Sequence, residues 1–198
     1  MPDNLPLTNY SSIDIVSSDK QYASLSNSGK RLIRRVGPHR FVGSVSFPLL
    51  TKVQFSAIDA FITYIKNSGE TFYLQLPHKK QSSVFAWGTP LVNGAGQSGY
   101  TLVTDSWSTG ANSAALETGT YIAIEGSEKL YLLRNDVDVS AGNEATISLS
   151  NKLQFTPADN AAITIEPVMK CNLVGTPSYT VIPPELYSYN LEFEEVIE

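Results

Sequence analysis

The chain is short of the residues that build small cross-linked or metal-stapled proteins. Among 198 residues there is one cysteine, Cys171, and two histidines, His39 and His78. A lone thiol cannot form an internal disulfide, and this Cys/His inventory cannot close a four-ligand structural zinc site. Long apolar runs are lacking too, since none approaches the ~18 consecutive residues of a membrane-spanning helix. The opening Met1-Pro2-Asp3-Asn4 has neither the basic nor the apolar region of a secretory signal. The expectation is a soluble, unprocessed protein. Charge is also sparse, at 17% of residues.

What is present is enough apolar surface for a core. Hydrophobic residues make up 42%, with ten Tyr and eight Phe, which places the chain among globular proteins. The length suits one large domain or two small ones. The charge is unevenly distributed: residues 1–80 carry a net +5 and residues 81–198 a net −10. The basic run Lys30-Arg31-Leu32-Ile33-Arg34-Arg35 has two readings, a solvated strand face or a docking surface for an acidic protein neighbour. A pI near 5.1 argues against a duplex nucleic-acid binder, which must neutralise many phosphates.

From Thr51 to Asn67, Phe55, Ile58, Phe61, Ile62 and Ile65 recur at spacings of three and four, the pattern of one helical face. Thr51 and Gln54 have capping-box spacing, Leu50 and Phe55 suit a hydrophobic staple, and Gly69 supplies a left-handed exit. The sequence predicts a helix over 51–67. Arg40–Phe47, Thr71–Leu76 and Tyr187–Val196 alternate with period two and predict half-buried strands. The Gly37-Pro38 turn suggests that Arg31–Val36 and Arg40–Phe47 pair as a hairpin.

Between 83 and 169 the helical signal fades and turn residues recur every eight to twelve positions. Phe85–Trp87, Tyr100–Thr104, Thr120–Ile124, Leu130–Arg134, Ala145–Ser150 and Ile163–Ile165 are the candidate strands of a small barrel or sandwich. The expected fold class is mainly β (α+β). A discontinuous domain of residues 1–82 and 170–198, with the single helix, carries an inserted β-barrel of residues 83–169.

Chemical motifs are scarce. Gly94-Ala95-Gly96-Gln97-Ser98-Gly99 matches G-x-G-x-x-G, with Glu117 as a candidate ribose acid. A strand follows it, however, where a dinucleotide loop must open a helix, so it is expected to be a hairpin loop. His39 and His78 sit in turns, and Cys171 lies in a strand, where a small buried hydrophobe is the expectation. Asp136 with Asp138, or Glu125 with Glu128, supply the carboxylate pairs that glycoside hydrolysis needs, although acids in polar turns are usually solvated. Trp87, Trp107, Tyr121 and Tyr131 can either stack on a sugar or fill a core. No set of residues offers an activated nucleophile or an oriented base, so no enzyme activity and no cofactor or metal are expected.

Three stretches carry a resemblance to a known family. The first runs Arg40-Phe41-Val42-Gly43-Ser44-Val45-Ser46-Phe47-Pro48-Leu49-Leu50-Thr51 into Phe55-Ser56-Ala57-Ile58-Asp59-Ala60-Phe61. The second is Gly69-Glu70-Thr71-Phe72-Tyr73-Leu74-Gln75-Leu76-Pro77. The third is Leu116-Glu117-Thr118-Gly119-Thr120-Tyr121-Ile122-Ala123-Ile124, followed by Lys129-Leu130-Tyr131, Gly142 and Ile147-Ser148-Leu149. This order is similar to that of the distal tail proteins of long-tailed bacteriophages (siphophages), in their compact kind with an oligonucleotide/oligosaccharide-binding-type (OB) barrel inserted in a ring-forming domain. The match records hydrophobic order, so no binding residues of the family transfer.

The resemblance implies a virion structural protein, made in the host cytoplasm and placed at the distal end of the tail. There a six-subunit ring joins the tail tube protein to the tail-tip hub protein, with neither specific nucleic-acid binding nor membrane insertion. Head-to-tail rings need two unlike faces on each subunit. Arg31, Arg34, Arg35 and Arg40 on one side and Glu192, Glu194 and Glu195 on the other are suited to meet across a boundary or to be neighbours within one subunit. The alternative, from a different class, is a carbohydrate-binding module of a tail or cell-surface protein, with Trp87 and Trp107 as glycan contacts.

Overall fold

The computed structural model describes residues 3–6, 9–76, 88–165 and 167–197. By its internal contacts the chain divides into two compact units, Met1–Tyr73 with Cys171–Ile197, and Leu74–Lys170. It begins with β1 (Asp3–Asn4), β2 (Ser12–Ser18), β3 (Gln21–Leu25), β4 (Arg31–Arg35), β5 (Arg40–Ser46), α1 (Lys52–Ser68) and β6 (Phe72–Leu74). The second unit holds β7 (Gly88–Val92), β8 (Thr101–Trp107), β9 (Asn112–Leu116), β10 (Tyr121–Ile124), β11 (Leu130–Leu132), β12 (Val137–Val139), β13 (Ala145–Ser148) and β14 (Ile163–Ile165). The chain then returns to the first unit through β15 (Met169–Ile182) and β16 (Leu186–Glu195). The fold is mainly β.

The helix forms where its local signals place it. Gln54 Oε1 accepts from the Thr51 backbone N–H at 3.1 Å, closing the start of the helix. Gly69 (φ +69°) ends it in the left-handed conformation, and its N–H donates to the Ile65 carbonyl. Ile58, Ile62 and Ile65 are its buried stripe. Phe55 does not simply staple to Leu50: its ring stacks on Tyr187 at 4.2 Å, and Leu50 bridges to the same tyrosine.

The first unit is a six-stranded sheet in the order β1-β6-β15-β16-β5-β2. On the central strands Phe41 and Val45 lie beside Tyr189, Leu191 and Phe193, all buried. Because side chains alternate across a sheet, the residues between them (Val42, Ser44, Asn190, Glu192 and Glu194) line the opposite face. Helix α1 packs on the buried side through Phe55 against Tyr189, with Phe61 edge-on to Phe72 nearby. Gly43 is needed at the centre of that side. A Cβ there would run into the Asp14 carbonyl and come within 2.9 Å of the Phe193 ring, which stands across it in register.

The expected hairpin between Arg31–Val36 and Arg40–Phe47 does not form. β4 pairs instead with β3, residue for residue from Arg31 against Leu25 to Arg35 against Gln21. β5 lies between β2 and β16. The turn is Ser26-Asn27-Ser28-Gly29, where Gly29 takes φ +74° and the Ser26 N–H donates to the Lys30 carbonyl at 2.9 Å. A left-handed glycine closes a short loop, whereas Gly37-Pro38 only redirects the chain from β4 into β5.

The second unit is a closed barrel. β7-β8-β13 are joined edge to edge, as are β11-β10-β14. Leu133 bridges Leu149 and Leu91 bridges Ala162, linking the two groups at both edges into a ring of six strands. The OB kind has five. β12 and β9 continue the sheet beyond β13 and bury Leu116, Val137 and Val139 in the same core. Closure leaves few free edges, and the interior packs Leu102, Trp107, Ile122, Tyr131, Ile147 and Leu149 at 1% exposure or less. Of the expected strands, Ile163–Ile165 agrees with the structure and four others agree within a few residues, while Phe85–Trp87 lies outside the described residues. β7, β9 and β12 were not expected. β9 is poor in large apolar residues and buries the adjacent Ala115 and Leu116, so it shows no alternation.

Candidate functional site

The barrel puts its polar residues to structural use. Gln97, inside the glycine-rich loop, donates through Nε2 to the Asn93, Gly94 and Val103 carbonyls and accepts from the Val103 N–H at 2.6 Å. Gly94, Gly96 and Gly99 take φ between +81° and +94° around it. The loop therefore joins two strands, as its context implied. Asp136 accepts from both the N–H and the hydroxyl of Thr118 at 2.7 Å, and the backbone donor first, then the hydroxyl, holds its carboxyl below the usual carboxylate value. Asp138 accepts from the Ala114 N–H at 2.8 Å, which suits the left-handed backbone of Ala114 (φ +54°). Glu125 accepts from the Ala162 N–H, and Glu128 pairs with Lys170 at 3.7 Å. Each carboxylate of the two candidate pairs is thus engaged in holding backbone or a lysine.

The aromatic candidates are core. Trp107 is 1% exposed, and its indole N–H donates to the Thr104 hydroxyl at 2.9 Å, which in turn donates to the Ala145 carbonyl. Its ring has no face to offer a sugar, which corrects its assignment as a glycan contact. Tyr121 and Tyr131 are buried as well. Trp87 and His78 lie outside the described residues. Cys171 is fully buried, and burial first, then the nearby Glu195 charge, push its thiol far above the ordinary value. His39 hydrogen-bonds the Ser17 hydroxyl through Nε2 at 2.8 Å and meets the Phe41 ring edge-on. Among the described residues no group of three or more His, Cys, Asp or Glu could hold a metal ion. Nor is any helix there long and apolar enough to cross a membrane.

The charged candidates separate into three groups. Arg40 Nη1 donates to Glu194 Oε2 at 2.9 Å within the chain, so these two are neighbours in one subunit. Glu195 faces the helix side, 1% exposed, and accepts the Phe41 N–H at 3.0 Å, which removes it from any surface. Arg31, Arg34 and Arg35 lie on β4, where every residue is exposed, and Glu192 is exposed on β16.

What emerges is a surface. The β3–β4 hairpin is exposed along both strands, with Tyr22 at 72%, Leu25 at 75%, and Leu32 and Ile33 at about half. On the uncovered face of the six-stranded sheet an open cleft of about 380 Å³ lies over Val42, Gly43 and Val174, with Asp14, Glu192 and Glu194 around it. Beside it a second hollow of similar volume, lined by Lys20, Val36, Pro38 and Arg40, marks the root of the hairpin. Sequence reasoning found the hairpin's arginines but not the cleft. The alternation in Ser12–Ser18, which turns Asp14 and Val16 to one side and Ile13 and Ile15 to the other, was the available signal. No family model matches the chain, and no curated protein matches it.

Proposed function

We propose that the chain is a non-enzymatic structural adaptor, a ring-forming distal tail protein that joins a phage tail tube to the hub at the tail tip, built as a six-subunit ring with a small barrel on each subunit that has one strand more than the OB kind. One observation carries the reading. The β3–β4 hairpin stands in solvent with both strands exposed, presenting Tyr22, Leu25, Leu32 and Ile33 among cations. A two-stranded ribbon is marginal by itself, and here both of its faces carry exposed apolar side chains, Leu25 and Ile33 on one and Tyr22 and Leu32 on the other, surface of the kind that other proteins cover. A second, different surface on the same unit, the acid-rimmed cleft, provides the unlike face that head-to-tail assembly requires. The burial of Trp107, Tyr121 and Tyr131 removes the described aromatics on which the carbohydrate-binding alternative drew.

The test is location. Antibody to the protein, carried on gold, is applied to particles of the source phage or prophage under the electron microscope. Label confined to the far end of the tail is the expected result. Absence of the protein from particles would sink the adaptor reading and bring a glycan-binding screen to the front.

A further inference from the structure

We propose that the cleft on the uncovered sheet face is a socket for the β3–β4 hairpin of a second copy of this chain, so that copies join head to tail. The inference rests on the adaptor reading for the assembly in which the copies meet, and names the contact that would build it.

The chemistry of the two surfaces is complementary. Residues opposite each other on antiparallel strands share a face. One face of the hairpin therefore gathers Leu25 and Ile33 with Arg31 and Arg35, an apolar centre bounded by cations. The cleft is its inverse, a floor of Val42, Val174 and the Gly43 backbone with Asp14 and Glu192 at the rim. The register sets Asp14, Ser44 and Glu192 side by side on β2, β5 and β16, so the two acids flank the floor from neighbouring strands. Glu194 is engaged by Arg40 and Asp14 accepts a long bond from the Ser44 hydroxyl at 3.5 Å, so Asp14 and Glu192 are the rim acids that can meet incoming cations.

The charges also decide what the occupant is. The hairpin does not fill its own chain's cleft, because its strands are exposed throughout and Val16 beside the cleft is 58% exposed. Residues 19–36 carry Lys20, Lys30, Arg31, Arg34 and Arg35 against Asp19 alone. Hairpin-to-hairpin and cleft-to-cleft pairing both set like charges together, so a two-fold contact built on either is disfavoured. A hairpin-to-cleft contact sets opposite charges together; passed from copy to copy it generates a ring or a filament, whereas reciprocal exchange between two copies would stop at a dimer, which the size of the assembly distinguishes.

Neutral substitutions test it in the full chain. R31Q/R35Q disables the hairpin and leaves the cleft, while D14N/E192Q disables the cleft and leaves the hairpin; circular dichroism checks that both fold. In sedimentation at low salt the unaltered protein is expected to form species larger than dimers as concentration rises, and salt to weaken them. Each variant alone should associate at least tenfold more weakly. Their equimolar mixture should form one-to-one pairs and stop there, because the pair holds one intact junction and its outer ends hold none.

An unaltered chain that stays monomeric to millimolar concentration overturns the socket, as does a D14N/E192Q chain that associates like the unaltered one. So does a mixture that forms no pairs. These outcomes are separable from failure of the adaptor reading. Tail-tip labelling together with a failed socket places the ring contact elsewhere, whereas absence from particles fails the adaptor reading whatever the sedimentation shows.

Discussion

The barrel and the sheet unit solve the same problem in opposite ways. Both are β-structures that must bury one face and satisfy their strand edges. The barrel does so by closure: its six strands return on themselves, and Trp107, Tyr131, Leu102 and Ile147 fill the inside. Its loops are tied by their own side chains, with Gln97, Asp136, Asp138 and Asn151 each holding backbone groups. The sheet unit covers one face with a single 17-residue helix and leaves the other open. It also sends out a ribbon with both strands in solvent. A closed module is complete in itself, whereas an open sheet with an exposed arm has surface left for others. The difference locates the search for partners in the sheet unit.

The largest test of this contrast compares one truncation in each unit. Trp107→Ala removes a side chain from the barrel interior and is expected to cost about 3–5 kcal/mol. Leu32→Ser on the hairpin is expected to stay within about 0.5 kcal/mol, because an exposed residue loses nothing that folding had buried. Chemical denaturation measures both, and hydrogen exchange shows where each acts. Fast exchange along β3–β4 beside protected barrel strands is the expected background. A Leu32→Ser change as costly as Trp107→Ala would mean that the hairpin is packed, and the contrast would be lost.

An intermediate effect is expected at high pH, and it belongs to the sheet unit. Burial first, then the charges of Asp59 and Tyr179, push the Tyr189 hydroxyl up to about 12 from an ordinary 10.0. Between those values the folded chain keeps a proton that the unfolded chain releases, so stability is full below the ordinary value and is lost as pH rises toward the folded one. Thermal melts from pH 9 to 11.5 should fall less steeply for Tyr189→Phe. Equal slopes in the two proteins would show that Tyr189 is not the group responsible.

The smallest effect is expected in a barrel loop. The Asp136 carboxyl is held low by the donors of Thr118, so its contribution is present above the ordinary carboxylate value and is lost as pH falls through the lowered one. Asp136→Asn should be slightly less stable near neutral pH and should converge with the unaltered chain in acid. The group is solvent-exposed, and screening keeps the difference small. A gap that is unchanged at low pH would assign the effect to shape rather than charge.

Much of the architecture was legible because it rests on neighbouring residues. The helix shows in the spacing of Ile58, Ile62 and Ile65 and in the Thr51 and Gly69 signals at its ends. Several barrel strands show in alternation and regular turns. β9 did not, because its buried residues are Ala115 and Leu116 side by side and its backbone turns left-handed at Ala114, which breaks the period. The candidate surface was legible only in part: Arg31, Arg34 and Arg35 stand out as a run, while the cleft is assembled from Asp14, Val42, Val174 and Glu192, four positions scattered over the chain.

By itself, then, the sequence determined a mainly β chain with one capped amphipathic helix, an unequal distribution of charge and a basic strand. The tertiary structure alone decided that β4 pairs backward to Gln21–Leu25, that Arg40 spends its charge on Glu194, that Trp107 is sealed inside the barrel, and that an acid-rimmed cleft opens beside β5. The physical reason is range. Helix periodicity and caps act within a few residues, whereas strand pairing joins positions such as 40 and 194, and which strands meet depends on how the whole chain buries its apolar faces.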